Sequence, residues 1–286
     1  MNGLKLFLGE LRLEHTLFAL PFAYVGGILA ARGLPSWWAL LWITVAVFGA
    51  RTAAMAANRY LDRDIDARNP RTSRRALASG NLSPAVMLWA IGAGLALLVI
   101  AAWQLNPLCV KLLPLAALGL LMYPLCKRFT WLVHFVLGAV DALAPLGAFI
   151  GVSGTVSLPA FLLFLAVTVW VAGFDIIYAL MDLGVDRAQG IKSVPARFGK
   201  RAGSQLPLAL HAAMLLALAA AGALVHAGWP WAAGVLAAAL LVLYESRLLR
   251  TAADVFVLNQ RIFSANMSFS VAFLATTLAA FTLGNR

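Results

Sequence analysis

The sequence predicts an all-α membrane protein, nine transmembrane helices in a single bundle, and three observations predict it. Of the 286 residues, 63% are hydrophobic and only 12% charged, far outside the range of soluble domains. The apolar residues fall in continuous runs of the length that crosses a bilayer, about 17 to 25 residues. These runs are rich in Leu and Ala with Gly and Pro scattered through them, and they lack the two-residue alternation of an outer-membrane barrel.

The first run, 16–32, is entered directly from Lys5, Glu10, Arg12 and Glu14, with no small-residue cleavage site after it, so no cleavable signal is expected. The second, 36–57, is as oily as SWWALLWITVAVFGARTAAMAA and then meets the acidic stretch NRYLDRDID. The third and fourth cover 84–103 and 108–126, the latter stopping before Lys127 and Arg128. The fifth, 131–151, and the sixth, 158–180, lead to a second acidic stretch, YALMDLGVD. After a basic loop come 205–226, 229–247 and 263–284. Residues 1–286 thus read as one transmembrane domain.

Lys and Arg set the orientation, because short loops rich in them stay in the cytoplasm. With the N-terminus inside, 18 of the 22 Lys and Arg lie on the cytoplasmic side, and the exceptions are Arg32, Arg51, Lys111 and Arg286. The net charge of +11 is therefore concentrated on one membrane face, where topology and anionic headgroups account for it. A nucleic-acid partner is not implied, and no obligate protein partner is evident.

Six of the eleven Asp and Glu fall in two short windows, Asp62, Asp64 and Asp66, then Asp175, Asp182 and Asp186. Residues four apart share a helix face, so Asn58, Asp62 and Asp66 form a polar stripe about 12 Å long. Tyr178, Asp182 and Asp186 repeat the spacing on what periodicity treats as one helix, and each stripe leads into a basic loop ending in glycine, at Gly80 and Gly199. This is a weak internal repeat of parallel orientation. Asp64 points away from the stripe and reads as solvated or ion-paired.

Four carboxylates facing one another at a membrane surface repel unless they bind cations. All-oxygen ligands with no His or Cys beside them favour Mg²⁺ over Zn²⁺, and Mg²⁺ takes few protein carboxylates and completes its shell with water and substrate phosphates. Four aspartates, two Mg²⁺ and a diphosphate still leave about −3 of charge, for which the neighbouring loops offer Arg59, Arg63, Arg68, Arg71, Arg74, Arg75, Lys127, Arg128, Lys192 and Arg197.

The chain resembles the UbiA superfamily of intramembrane prenyltransferases. The resemblance rests on NRYLDRDID and YALMDLGVD together, and it extends through EHTLFALPFA, NPRTSRRALASG, YPLCKRFTWLVH and DRAQGIKSVPARFGK. It departs from common family wording at Arg74 and Ala76 in SRRALASG and at Met181 before Asp182. The resemblance implies nine helices around an active-site cavity that faces the cytoplasm of a bacterial-type inner membrane. It also implies Mg²⁺-dependent transfer of a polyprenyl group from its diphosphate to the ring of a small aromatic acid, 4-hydroxybenzoate or a dihydroxynaphthoate, for ubiquinone or menaquinone synthesis. The same fold with haem, a glycerol-phosphate lipid or a chlorophyll precursor as acceptor is the alternative. A cation-coupled transporter would instead place its charges at the bilayer midplane on interrupted helices.

By matching positions, Asn58, Asp62, Asp66, Asp182 and Asp186 are implied as the catalytic metal and diphosphate site, with Lys127 and Arg128 on phosphate. Tyr123 and Tyr178 are candidates to face an allylic cation, or else belt residues of the interface. Arg51 lies seven positions before Asn58, about 10 Å deeper on the same helix face, and must be neutralised there. It either receives the acceptor's carboxylate or pairs with Asp175, itself a candidate to take the ring proton. His15, His134, His211 and His226 show no ligand spacing, and Cys109 and Cys126 read as reduced core thiols.

Overall fold

Helix after helix begins where a short polar residue meets a proline. The computed structural model describes residues 3–11 and 13–283. Arg12 and Arg286 lie outside the described residues, as do the side chains of Glu14 and His15. The described residues form α1 (Gly3–Leu11), α2 (Leu13–Ala31), α3 (Trp37–Ala67), α4 (Pro84–Leu105), α5 (Pro107–Cys126), α6 (Val133–Ser153), α7 (Leu158–Ala179), α8 (Leu183–Gln189), α9 (Val194–Leu224), α10 (Gly228–Thr251) and α11 (Val255–Leu283), with no strand among them. Ser83, Asn106, Ser157 and Ser193 cap α4, α5, α7 and α9 with side-chain acceptors, each followed by proline in the first turn.

Eight helical stretches among the described residues are long and apolar enough to cross a membrane, matching the second to ninth predicted runs. The first predicted run lies in α2, whose described apolar part, Phe18–Ala31, is shorter. On the side that carries the motifs the helices outlast the apolar runs: α3 continues to Ala67, α9 starts at Val194 with a non-helical break at Gly199, and α11 starts at Val255. The extra turns of α3 carry Asn58, Asp62 and Asp66 to the site. A 3₁₀ turn, Leu180–Asp182, separates α7 from α8.

Two features hold the bundle together without the usual solvent-driven help. Small residues let backbones touch: a Cβ on Gly138 of α6 would meet the Thr168 carbonyl oxygen of α7 at 2.2 Å, and one on Gly26 of α2 would meet that of Pro145 in α6 at 2.0 Å. Aromatic rings fill the space between α2, α7, α10 and α11, with Phe18 stacked on Trp170 at 4.9 Å and Phe22 on Phe273 at 5.5 Å.

A buried polar network crosses the same core. Trp170 Nε1 donates to Asn266 Oδ1 and Asn266 Nδ2 to Glu245 Oε1, at 2.5 and 2.7 Å. Glu245 Oε2 then lies 2.6 Å from His211 Nδ1, close in distance though poorly aligned as a hydrogen bond. His211 Nε2 reaches the Trp170 carbonyl at 3.1 Å, which closes the loop through α7, α9, α10 and α11. Paired in this way, fully buried Glu245 and His211 belong to the packing of the bundle.

Candidate active site

The end of α3 places Asn58, Asp62 and Asp66 on one face, and what lies opposite is basic. Asn58 Nδ2 donates to Asp62 Oδ2 at 3.0 Å, and Lys127 Nζ, from the end of α5, donates to the same oxygen at 2.5 Å. The other oxygen, Asp62 Oδ1, is buried without a partner. Asp66 Oδ2 accepts from Arg75 Nη1 at 2.6 Å. The loop carrying Arg75 turns back over the helix end because the Asp66 carbonyl accepts both Asn69 N, at 3.2 Å, and Thr72 Oγ1, at 3.0 Å.

That loop also reaches the second motif. Asp182 Oδ1 accepts from Asn69 Nδ2 and Arg71 Nε, both at 2.9 Å, and Asp182 Oδ2 accepts from Arg71 Nη2. Arg71 further donates to the Tyr178 hydroxyl at 3.2 Å and lies 5.3 Å from the centre of that ring. Burial works against its charge, but the bonds to Asp182 and Tyr178 outweigh it and hold the guanidinium above its ordinary pKa. Asp186 Oδ2 accepts from Ser193 Oγ, the cap of α9, at 2.9 Å. The two acidic motifs are thus joined by the loop between α3 and α4.

Deeper in the bundle, Arg51 Nη1 of α3 donates to Asp141 Oδ1 of α6 at 2.8 Å, while Arg51 Nε is buried without a partner. Both residues stand where two chambers meet. The polar chamber has a cavity volume of about 280 Å³ and is lined by both motifs, Arg71, Arg75, Lys127, Tyr123, Tyr178 and Asp175. The apolar one, about 260 Å³ between α2, α3, α4, α5 and α6, is lined almost wholly by Leu, Ala, Val, Ile and Gly. Arg51 and Asp141 line both.

Most of the residues singled out in the sequence come together here, with four corrections. Arg51 pairs with Asp141 rather than Asp175, whose carboxylate binds His134 at 2.7 Å. The stripe of Tyr178, Asp182 and Asp186 is not on one continuous α-helix, because the 3₁₀ turn intervenes and swings Asp182 toward Arg71. Arg68 and Arg128 are exposed and outside the lining, with their guanidinium groups on the Asp64 and Leu61 carbonyls. Arg59 reaches the chamber wall, but its charge faces Glu10 of α1 at 3.2 Å, in a buried pair. Asp64 is largely exposed, 3.7 Å from Arg63, and both cysteines are free thiols.

Sequence reasoning missed Asn69, Asp141, His134 and Ser193. Asp141 had a signal: a lone acid amid the apolar run GAVDALAPLG needs a cation inside the bundle, as Arg51 needs an anion. Among the described residues no three acid, imidazole or thiol side chains converge as a ready-made metal cage. The buried oxygen of Asp62 that makes no hydrogen bond among the described residues offers one ligand for a hard cation, which takes few protein carboxylates and shares the rest of its shell with phosphate.

A polar chamber of paired acids and bases beside an apolar chamber, inside a bundle of helices long and apolar enough to cross a membrane, defines a class: multi-helix intramembrane proteins with an internal polar site. Residues 19–266 match the UbiA prenyltransferase family, and the chain belongs to it. It is a prenyltransferase. It is 35% identical over 228 residues to a 4-hydroxybenzoate octaprenyltransferase of Alkalilimnicola ehrlichii, covering 78% of this chain and 75% of the relative. A protein of the same name from Aeromonas salmonicida is 36% identical over 223 residues, covering 78% and 76%. Among solved structures, an apo UbiA homolog from Aeropyrum pernix superimposes with a TM-score of 0.84 at 33% identity, over 93% of this chain and 97% of that one. A UbiA homolog from Archaeoglobus fulgidus bound to GPP and Mg²⁺ shares the fold, with a TM-score of 0.76 at 18% identity over 97% and 99%.

Proposed function

We propose that this protein transfers a polyprenyl group from a polyprenyl diphosphate to the ring of a small aromatic acid of the 4-hydroxybenzoate type, for quinone synthesis. The observation that carries the proposal is the pair of acidic motifs, each already matched to a cation and both facing the same chamber, with an apolar chamber beyond. The names of the relatives support the acceptor class.

Lys127, Arg75 and Arg71 pair with Asp62, Asp66 and Asp182. The same groups serve the substrate by exchanging partners. Asp62, Asp66, Asp182 and Asp186, with Asn58 beside them, would hold Mg²⁺, while Lys127, Arg71 and Arg75 turn to the diphosphate oxygens. When bound, Mg²⁺ supplies positive charge that screens the diphosphate and favours its departure. The bond between the allylic carbon and the diphosphate oxygen breaks with its electron pair on oxygen, where the freed Lys and Arg groups stabilise it.

The prenyl tail occupies the apolar chamber, which puts the reactive carbon near Arg51 and Asp141 at its mouth. Arg51 Nε, a buried donor with no partner, receives the acceptor's carboxylate. Tyr178 and Tyr123 face the allylic cation. The ring carbon attacks that cation, and the ring then loses a proton, with Asp175 in the chamber wall as the acceptor. In this reading nine spans cross the inner membrane, with the N-terminus and the site in the cytoplasm and residues 1–286 forming one domain.

The experiment incubates membranes carrying the protein with Mg²⁺, a labelled polyprenyl diphosphate and a panel of aromatic acids, haem and glycerol phosphate. A ring-prenylated hydroxybenzoate is the expected product. Label on haem or glycerol phosphate instead would move the acceptor to another class.

A further inference from the structure

His134 stands where α6, α7 and the start of α9 meet, and only 2% of its surface is exposed. Its Nε2 lies 3.1 Å from the backbone nitrogen of Val194. A backbone N–H can only donate, so Nε2 presents its lone pair and the ring proton sits on Nδ1. Nδ1 then donates to Asp175 Oδ2 at 2.7 Å. Both nitrogens are committed, so the ring neither takes a substrate proton nor binds a metal.

What it holds is the edge of the second motif. Val194 is the first residue of α9 and is fully buried, and its N–H is one of the donors a helix start cannot satisfy internally. Ser193, one residue earlier, caps the helix by accepting from Ala196 N at 3.3 Å and donates its proton to Asp186 at 2.9 Å. Lys192 N bonds the carbonyl of Lys127, whose ammonium sits on Asp62. Segment 192–194 therefore ties the two motifs together through contacts that do not involve Arg71.

We infer that His134 is a positioning residue for the diphosphate site: by accepting the Val194 N–H it fixes Ser193 and, through it, the orientation of Asp186. Without that acceptor a buried donor is stranded, and the start of α9 shifts to find another, drawing Ser193 from Asp186. The inference rests on the proposed function for the role of Asp186, and on geometry alone for the hold on α9.

Two amides separate the two bonds of the ring. An asparagine amide reaches Asp175 from the Nδ1 position but falls short of Val194, whereas a glutamine oxygen reaches Val194 from the Nε2 position. His134→Asn is expected to raise the KM for prenyl diphosphate about tenfold with the acceptor's KM within twofold, and Ser193→Ala to do the same. The double variant is expected to be no worse than either single one, because both act through one contact. His134→Gln should keep both KM values within threefold of wild type.

In the metal-free, substrate-free protein, amide exchange across residues 190–198 should speed up at least tenfold in His134→Asn and not in His134→Gln. Additive losses in the double variant, equal rises in both KM values, or unchanged exchange would overturn the inference. Wild-type protein that transfers nothing would overturn the proposed function, while the exchange measurement still decides whether His134 holds α9.

Discussion

Arg51→Lys separates acceptor binding from diphosphate binding. Lysine keeps a positive charge able to pair with Asp141, 2.8 Å from Arg51 Nη1, so the bundle loses no neutralising partner there. What it removes is the second arm of the guanidinium, the buried Nε with no hydrogen-bond partner among the described residues. If that arm receives the acceptor's carboxylate, the variant loses one charge-assisted hydrogen bond, worth about 2 kcal/mol. That corresponds to roughly a 30-fold rise in the acceptor's KM. The diphosphate's KM should stay within twofold, since Arg51 stands about 10 Å below Asn58 along α3. Initial rates in detergent, varying one substrate at saturating levels of the other, measure both constants. A rise confined to the diphosphate would move Arg51 to the head-group site, and no change in either would remove it from substrate binding.

Other expectations follow from packing and charge. Gly138→Ala places a methyl 2.2 Å from the Thr168 carbonyl, so α6 and α7 must separate; we expect a loss of about 1 to 3 kcal/mol, read as a lower thermal midpoint, and an unchanged midpoint would contradict the close approach. Pro70→Cys in the loop after α3 should react with an impermeant thiol reagent only in opened vesicles, whereas labelling of intact cells would reverse the proposed orientation. Lys127→Ala leaves Asp62 buried with only Asn58 beside it, and should raise the diphosphate's KM by more than tenfold through the loss of a charge-assisted contact; a KM within twofold of wild type would take Lys127 out of the head-group site.

The spans were legible because hydrocarbon demands long apolar runs, and the acidic motifs because carboxylates are rare enough in this chain for six in two windows to stand out. The partner of each charge was less legible. Arg51 and Asp141 lie 90 residues apart, and nothing in either neighbourhood names the other; only the packing of α3 against α6 brings them together. Helical arithmetic offers Asp175 as one of two partners for Arg51, but α6 brings His134 to Asp175 instead. Arithmetic also failed after Ala179, where a 3₁₀ turn of three residues resets the phase between Tyr178 and Asp186. The two glycines were a fair signal: Gly80, in the loop after α3, and Gly199, where α9 breaks, both adopt positive φ, +78° and +86°, where a side chain would be strained.

The central claim is that two distant motifs form one site for a metal-bound diphosphate, and the thermal midpoint of the purified protein tests it without turnover. Prenyl diphosphate with Mg²⁺ should raise the midpoint of the wild type, as a ligand bound only by the folded state does. Without Mg²⁺ the rise should largely vanish, and in Asp62→Ala and Asp182→Ala it should be absent although each variant is folded. An equal rise without Mg²⁺, or in both variants with it, would contradict the account.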